Sequence, residues 1–565
     1  MSRRNVLVRG FALGVVFALV LAACGGSDDE SSTSPTNPAS GSGAPDAGTL
    51  VLAAEQEPDC ADWIASCAGL AWGAWIMQYQ TMPLAFNIVK SGANWTYAPS
   101  NLLAEPPTLT PGPPQVVTYK INPAAVWSDG TPITSTDFKY TWDQIANSED
   151  VYSKTGYENI ASVDDTDPAT AVVTFKPDQS YGPWRALFGT DYGVWPSHIL
   201  EGKNRDKATK DGYKWSGGPW KIESWNRGVD VTLIPNDAYW GEKPKISKVI
   251  FKFIPDTTAQ FKAFQTGEVL GIYPQPQLDA VDAIKEGLPN AKTVYTADTG
   301  SIEALWMNNA KAPLNSVAVR QAIAYAIDRD AIVARLFGDL GVDKASQSLN
   351  PPITSEFGDQ QAWAGYTLDL QKVDQLLTGE GWAKGSDGIY AKNGKKLSLT
   401  ITTTADNQRR ELTEQILQEQ LKAAGIDLKI KNQSADQLFG VTLVEGNYQM
   451  ALYAQVSTNL DPGLCVIMCS SNVPSKANDN SGQNYTRTEI PALDPLLTAV
   501  DRSSDDALRD QSQAQADQLM AENQVSLPLD PLPNIAIWSD KISGDLSDNP
   551  IMAMFWNMNT WQLQG

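Results

Sequence analysis

Residues 397–430 alternate strand and helix patterns, and this alternation is the feature that most constrains the fold. Residues 397–401 alternate apolar and polar side chains, as a half-buried strand does. The next segment repeats leucine and isoleucine at helical spacing and ends at Gly425, a residue type typical of the position just after a helix. Residues 426–430 form a second predicted strand. Because alternating strands and helices are typical of α/β proteins, the sequence predicts an α/β fold.

Three further segments carry clear local patterns. Residues 116–121 alternate like a strand. Thr134, with Asp137 three residues later, has capping-box spacing and predicts the start of a helix. Residues 316–337 carry apolar side chains at helical spacing and predict one long helix. A chain of 565 residues is too long for one core, so at least two lobes are expected.

The N-terminus has the layout of an export signal. Arg3, Arg4 and Arg9 precede an apolar stretch over residues 10–23. This stretch is shorter than the roughly 20 residues that a spanning helix needs, which argues against a retained membrane helix. Residues 1–23 are therefore predicted to be a signal peptide. Val6 stands where a twin-arginine signal usually has Phe, so both the general secretory and the twin-arginine routes stay open.

The residue after the signal predicts a lipid anchor. Residues 21–24 read Leu-Ala-Ala-Cys and resemble the lipobox of bacterial lipoproteins, in which Cys24 is acylated and becomes the mature N-terminus. Residues 25–48 are rich in Ser, Thr, Gly and Pro and have almost no apolar side chains, so residues 24–48 are expected to be a lipidated flexible linker. The sequence thus predicts an extracytoplasmic protein that meets the cell membrane only through this lipid.

The charge balance excludes one class of partner. Asp and Glu number 65 against 43 Lys and Arg, which gives a formal net charge of −22 at pH 7. Nucleic acid attracts basic surfaces, so we expect no nucleic-acid partner. The self-repelling surface favours a soluble protein, and we expect a monomer.

Four cysteines remain besides Cys24. Cys60 and Cys67 form one close pair, and Cys465 and Cys469 form another. In an oxidising compartment two close pairs indicate two disulfides, although the other two connectivities stay possible. A four-cysteine zinc site is the less favoured alternative because neither spacing is CxxC.

The residues argue against catalysis. The chain contains one histidine, which excludes multi-histidine metal chemistry, and no GxSxG motif is present. We therefore expect no enzyme, no metal and no cofactor. A glycoside hydrolase with a pair of carboxylates stays open as the alternative from a different class, since an acidic chain always contains such pairs.

Six stretches, in order, resemble one family over nearly the whole mature chain. They are residues 125–134 (AVWSDGTPIT), 216–222 (SGGPWKI), 239–244 (YWGEKP), 319–329 (VRQAIAYAIDR), Asp461-Pro462 and Asn484-Tyr485. Together they are similar to the family 5 solute-binding proteins of ABC importers, the oligopeptide-, dipeptide- and nickel-binding group. We interpret the motifs mainly as structural. Gly217-Gly218-Pro219 in particular is no phosphate-binding loop, since no Walker lysine follows.

The resemblance implies a two-lobed Venus-flytrap fold, like that of periplasmic binding proteins, with three structural domains and a two-strand hinge. Domain I would be discontinuous and domain II would extend the same lobe, while domain III would form the second lobe. The implied boundaries are 49–82, 213–306 and 530–565 for domain I, 83–212 for domain II and 307–529 for domain III. Ligand would be buried as the lobes close.

The resemblance also suggests where ligand is bound. Many relatives meet a peptide ammonium with a carboxylate four residues before the proline of Asp461-Pro462, a position that Thr458 takes here. Asp461 or Glu57 would then have to take over this role. The remaining candidates are polar side chains near the motifs and aromatic side chains that could stack on a ligand. They are Gln455, Ser457, Asn459, Asn484, Tyr453, Tyr485, Trp72, Trp75 and Trp306.

The function that follows is that of a substrate-binding lipoprotein of an ABC importer. It would capture an oligopeptide or a similar polar solute and deliver it to separate permease subunits that work with cytoplasmic ATPases. Relatives that bind peptides hold them extended through main-chain hydrogen bonds. An oligosaccharide-binding protein of the same fold is the alternative that the residues leave open.

Overall fold

The computed structural model describes residues 48–564 except 69, 70, 93, 298, 355, 356, 458, 479 and 481. Cys24, residues 25–47 of the predicted linker, and Thr458 lie outside the described residues.

Lobe 1 is built on several small sheets. Its central sheet has the strand order Thr49–Ala54, Lys248–Phe253, Asp230–Pro235 and Trp220–Asn226, and its first two strands are parallel. A second sheet has the order Thr108–Thr110, Val116–Lys120, Thr170–Phe175 and Ile160–Asp167. The others are the three-stranded sheet Gly271–Ile272, Asn534–Ser539 and Ala291–Thr296, the hairpin Phe86–Ser91 with Asn94–Pro99, and the pair Ile542–Ser543 with Gln562–Leu563.

Lobe 2 is built on one five-stranded mixed sheet. Its order is Asp427–Ile430, Ser398–Thr402, Met450–Val456, Ser301–Met307 and Ser526–Pro531. The first three strands are parallel and the last two run antiparallel to their neighbours. A small sheet, Ala383–Lys384, Tyr390–Lys392 and Lys395–Lys396, lies outside it.

Helices cover the sheets of both lobes. The α-helices of lobe 1 are Ser135–Asn147, Ser197–Leu200, Arg205–Thr209, Thr257–Gln265 and Leu278–Glu286, together with the helical run Ala71–Gly73, Ala74–Gln78 and Tyr79–Thr81, whose middle part is π-helical. Those of lobe 2 are Val317–Tyr325, Arg329–Phe337, Leu370–Gly379, Gln408–Ala423, Ala435–Gln437, Leu443–Glu445, Cys465–Met468, Leu493–Arg502 and Asp506–Glu522, with a π-helical turn at Leu438–Thr442. None of the helices in the described part of the chain is long and apolar enough to cross a membrane.

Most of the elements that the local patterns predicted are present in the structure. The strand, helix and strand of residues 397–430 are present, and Gly425 lies just beyond the helix with φ +88°. The capping box at Thr134 is formed by both of its hydrogen bonds. The single helix predicted over residues 316–337 is wrong. The chain forms two helices there, because Asp328 leaves the helical conformation and caps the second helix by accepting a hydrogen bond from Ala331 N.

The two predicted disulfides are confirmed. Cys60 is joined to Cys67 and Cys465 to Cys469. Each bridge closes a short loop, so it constrains the local loop shape more than the whole chain.

The hydrophobic core forms two large clusters. The first lies in lobe 1 and contains Trp127, Trp195 and Trp220. The second follows the five-stranded sheet of lobe 2 and extends to the helices Thr257–Gln265 and Leu278–Glu286. The second cluster thus also includes Val51 and Ile537 of lobe 1, so the hydrophobic core continues from one lobe into the other. The three-domain boundaries within these lobes stay a prediction.

Candidate functional site

The chain passes between the two lobes at two adjacent places. Residues 297–300 join the three-stranded sheet of lobe 1 to the five-stranded sheet of lobe 2, and residues 532–533 lead back. Here Ser457 N donates a hydrogen bond to Gly300 O, with an N–O distance of 2.6 Å. A Cβ at Gly300 would lie 2.5 Å from Ser457 O, so the close approach of these backbones requires glycine.

The segment after Ser457 is a part of lobe 2 that packs against lobe 1. Leu460 is 6% exposed and packs in the core cluster of lobe 1. Tyr97, on the hairpin of lobe 1, donates its hydroxyl hydrogen to Asp461 Oδ2 at 3.0 Å and accepts a hydrogen bond from Leu460 N at 3.1 Å. Arg509 Nη2 donates to the other carboxylate oxygen of Asp461 at 2.6 Å. We call Tyr97, Asp461 and Arg509 the latch.

Further contacts between the two lobes lie next to the latch, and we call the whole contact surface, latch included, the seam. Gly182 N in lobe 1 donates to Asp501 O in lobe 2 at 2.8 Å. Arg185 Nη1 lies 3.5 Å from Asp506 Oδ2. With the latch, these contacts join the two lobes directly, as closure of a two-lobed binding protein requires.

The lobe 1 side of the cleft carries an aromatic cluster. Trp72 and Trp75 pack edge to face with ring centroids 5.3 Å apart, and both also contact Tyr273. Trp72 is 2% exposed, whereas Trp75 is partly exposed and donates Nε1–H to Ile551 O at 2.9 Å. Ile551 in turn faces Gly300 at the crossing. Trp75 therefore lies near the floor of the cleft, while Trp72 lies behind it in the core.

The lobe 2 side carries a second aromatic stack. Trp306, 1% exposed, stacks on Tyr453 with centroids 5.3 Å apart and donates Nε1–H to Tyr453 O. Phe439 packs edge-on against the Tyr453 ring and is 39% exposed. Trp306 is thus a support behind Tyr453, and Phe439 is an exposed aromatic side chain that the sequence patterns did not single out.

The polar residues predicted around Asp461 form a turn. Gln455 is partly exposed at the end of the strand Met450–Val456. Ser457 Oγ donates to Asn459 O, and Asn459 Oδ1 accepts from Asp461 N at 3.0 Å. The sequence order therefore brings these side chains together beside the latch.

Two other predicted residues lie in different surroundings. Glu57 accepts hydrogen bonds from Trp225 Nε1 at 2.9 Å and Gly228 N at 2.8 Å, so its carboxylate holds a turn of lobe 1. Asn484 is fully buried, and its amide donates to three backbone carbonyls, which include those of Met468 and Cys469. The half-buried Tyr485 follows it. The structure thus assigns Glu57 and Asn484 structural contacts, and ligand contact by any of the predicted residues stays a prediction.

Two acidic residues at the seam, Asp191 and Asp501, were missed by the sequence reasoning. Asp191 follows Thr190 in a loop of lobe 1, and no motif or spacing marks it. Burial and the negative charge of Asp461 raise its pKa to about 7. Burial also raises the pKa of Asp501 to about 7, although Arg509 opposes that rise. The seam therefore holds two carboxyl groups that are partly protonated near pH 7.

The described residues offer little for metal or acid–base chemistry. Within them, no group of three or more His, Cys, Asp or Glu side chains could hold a metal ion. The single histidine, His198, lies on lobe 1 with Nε2 2.9 Å from Asp129 Oδ2. The geometry is that of a closing interface that could surround a polar solute.

Comparisons with known proteins agree with this geometry. The family model of the bacterial extracellular solute-binding proteins, family 5, matches residues 98–476. The oligopeptide-binding protein OppA of Mycobacterium tuberculosis H37Rv is 27% identical over 463 residues, which cover 80% of this chain and 75% of that protein.

Two solved structures share the fold at low identity. The periplasmic EDTA-binding protein EppA superposes with a TM-score of 0.79 at 22% identity, covering 92% of this chain and 97% of that one. The oligopeptide-binding protein AppA of Bacillus subtilis, solved with a nonapeptide, superposes with a TM-score of 0.70 at 22% identity over 92% of this chain and 99% of that one.

Proposed function

The chain belongs to the bacterial extracellular solute-binding proteins of family 5, and from that premise we propose that it captures an oligopeptide for an ABC importer. In this proposal the protein is a lipoprotein anchored through Cys24. It closes around the peptide outside the cytoplasmic membrane and hands it to a permease with cytoplasmic ATPases. It has no catalytic step of its own.

The observation that carries this proposal is the closed seam. The latch joins lobe 1 to lobe 2 immediately beside the polar turn formed by Ser457, Asn459 and Asp461. A solute held against that turn would be covered when Tyr97 reaches Asp461, so binding and closure are coupled. Partly exposed Trp75 and Phe439 offer flat apolar surfaces on opposite lobes.

The charge of the seam supports a peptide over an anionic chelate. Asp191, Asp461 and Asp501 face the seam, and Arg509 is the cation that pairs with Asp461. The seam contacts bring together four carboxyl groups (Asp191, Asp461, Asp501 and Asp506) and two guanidinium groups (Arg185 and Arg509), an arrangement that disfavours an anionic metal chelate. A zwitterionic or cationic peptide meets no such barrier.

Peptide binding is the first expected result. Purified protein, freed of bound ligand by mild unfolding and refolding, should change its tryptophan fluorescence on titration with synthetic peptides of three to nine residues, because closure alters the surroundings of Trp75. Dissociation constants near the micromolar level correspond to about −8 kcal/mol. Mass spectrometry of the peptides after incubation should recover them intact.

A matched series of maltooligosaccharides provides the comparison. A saturable response to the oligosaccharides and none to the peptides would contradict the peptide assignment and support the alternative ligand. Shortened peptides or glycans after incubation would contradict the absence of catalysis.

The latch gives a second expected result. Tyr97→Phe removes a hydrogen bond to a carboxylate and one from a backbone N–H, and bonds to charged groups contribute about 1.5–3 kcal/mol. The variant should therefore bind peptide at least roughly tenfold more weakly, with most of the change in the dissociation rate. Tyr239→Phe is the control, since the Tyr239 hydroxyl bonds only with Asn101 inside lobe 1 among the described residues. Equal affinities for both variants would show that the latch does not contribute to capture.

A further inference from the structure

The closed seam contains one carboxylate without a counter-charge. Asp191 is partly exposed, whereas its neighbours Thr190 and Tyr192 are each 4% exposed. Among the residues that the structure describes, none donates a hydrogen bond to the Asp191 carboxylate. The hydroxyl of Thr190 beside it also has no hydrogen-bond partner in the described part of the chain.

The main chain of this loop is nevertheless firmly held. Gln78 Nε2 donates to Asp191 O at 3.1 Å, and the Tyr79 hydroxyl donates to Thr190 O at 3.1 Å. Both donors lie on the helical run that also carries Trp75. The backbone of Asp191 is therefore fixed to the cleft side of lobe 1, and its side chain is left free to meet another group.

The other seam carboxylates each have an arginine nearby, whereas no cation among the described residues affects the pKa of Asp191. Asp461 pairs with Arg509 and accepts from Tyr97. Burial raises the pKa of Asp501 to about 7, and the positive charge of Arg509 opposes that rise. Asp191 meets only the negative charge of Asp461 among the charged groups that shift its pKa.

Tyrosine side chains form the rest of the surroundings. Burial raises the pKa values of Tyr97 and Tyr181, and the nearby negative charges of Asp191 and Asp461 raise them further. Both phenols are therefore neutral near pH 7 and supply no positive charge. Aromatic rings beside a carboxylate are a favourable setting for an ammonium or guanidinium group.

Closure of the lobes brings the carboxylate of Asp191 near that of Asp461, which is unfavourable. Asp191 belongs to lobe 1 and Asp461 to lobe 2, so the two like charges approach only when the lobes close. Like charges in a partly desolvated interface repel strongly. A cation placed between them would replace this repulsion by attraction and would favour the closed form.

We propose that Asp191 binds a cationic group of the ligand, an ammonium or a guanidinium, so that closure selects positively charged ligands. Asp191 is then a specificity-determining residue in the cleft. This inference rests on the proposed function, solute capture between the lobes, and it names the charge class of the solute.

A pair of synthetic pentapeptides tests the inference. One has a free N-terminus and one lysine, and the other is N-acetylated with norleucine in place of lysine. The wild-type protein should bind the cationic peptide at least tenfold more tightly than the neutral one. Asp191→Asn should abolish this preference with little change for the neutral peptide. Asp178→Asn, which removes an exposed carboxylate from the same lobe, should retain the preference.

A second measurement needs no ligand. Because Asp191→Asn removes the repulsion from Asp461, the ligand-free variant should close more readily than the wild type. Small-angle X-ray scattering should then give it a smaller radius of gyration. An unchanged or larger radius would contradict the electrostatic argument.

The outcomes separate this inference from the proposed function. Equal binding of both pentapeptides by the wild type, or a preference that survives in Asp191→Asn, overturns the role of Asp191 and leaves peptide capture standing. Failure to bind either peptide contradicts the peptide assignment. The charge class is then decided by native mass spectrometry of the molecule released from the purified protein. A cationic molecule supports the inference, and a neutral or anionic one overturns it.

Discussion

Arg409→Met is expected to lower the free energy of unfolding by about 3–5 kcal/mol, because it removes one partner of a buried ionic cluster. Arg409, 3% exposed, donates from Nη2 to Glu303 Oε2 at 2.7 Å, and its Nη1 lies 3.4 Å from Asp530 Oδ2. Both carboxylates are fully buried. Arg410 also reaches Glu303 at 2.8 Å, so the loss of Arg409 leaves Asp530 without its nearest cation. Urea unfolding followed by circular dichroism measures the effect.

The pH dependence of that loss provides an internal check. Burial opposes ionisation of Glu303, but Arg409 and Arg410 hold its pKa below the usual value. A carboxyl group whose pKa is lower in the folded state contributes stability that is present near neutral pH and lost as the pH falls through the folded pKa. The part of the difference between wild type and Arg409→Met that Glu303 supplies should therefore persist from pH 7 down to about pH 4 and shrink only at lower pH.

An exposed ion pair supplies the matched control. Lys344 contacts Asp330 at 3.0 Å with its side chain 75% exposed, so Lys344→Met should leave the unfolding curve unchanged. If Arg409→Met were as stable as this control, the buried cluster would contribute nothing to the stability of lobe 2.

Gly218→Ala is expected to lower the free energy of unfolding by about 3 kcal/mol, near the upper part of the range for overpacked positions. A Cβ at Gly218 would collide with the carbonyl oxygen of Gln80 and lie 2.9 Å from its carbonyl carbon. Gly218 N also donates to Thr81 O at 3.0 Å, which holds the two backbones together. Because the obstacle is backbone, no change of side-chain rotamer can relieve the contact.

Gly365→Ala is the control for Gly218→Ala. Gly365 is exposed, and its added Cβ would meet no atom within 4 Å. The same substitution should therefore leave the unfolding midpoint nearly unchanged. A similar midpoint for both variants would show that the approach of Gly218 to Gln80 is not needed, and with it our structural interpretation of the motif at residues 216–222 would fail.

Local sequence patterns predicted the elements whose causes lie within a few residues. The capping box at Thr134 and the glycine after the helix Gln408–Ala423 act over one helical turn, so spacing alone reveals them. The prediction of one long helix over residues 316–337 was wrong, and its cause is also local. Asp328 is itself a local capping residue, and the apolar periodicity on either side concealed it.

Aromatic and polar side chains of the site were harder to assign from sequence. Trp306 and Trp75 look alike as residue types, yet one is buried behind Tyr453 and the other reaches the cleft. Glu57 could be proposed for an ammonium from its type, but Trp225 and Gly228 already occupy its carboxylate. Residue type indicates what a side chain could do, and its packing decides which groups it meets.

The sequence by itself determined the family resemblance, the α/β fold class and the absence of the usual catalytic motifs, since each depends on ordered motifs or local patterns. It favoured the two short disulfides by their close spacing, and the structure decided their connectivity. Only the tertiary structure decided that Tyr97 meets Asp461 across the seam and that Asp191 lies beside them without a counter-charge. These residues are far apart in the chain. Their proximity in space depends on how the two lobes pack and close, and no local pattern of residues in the sequence encodes it.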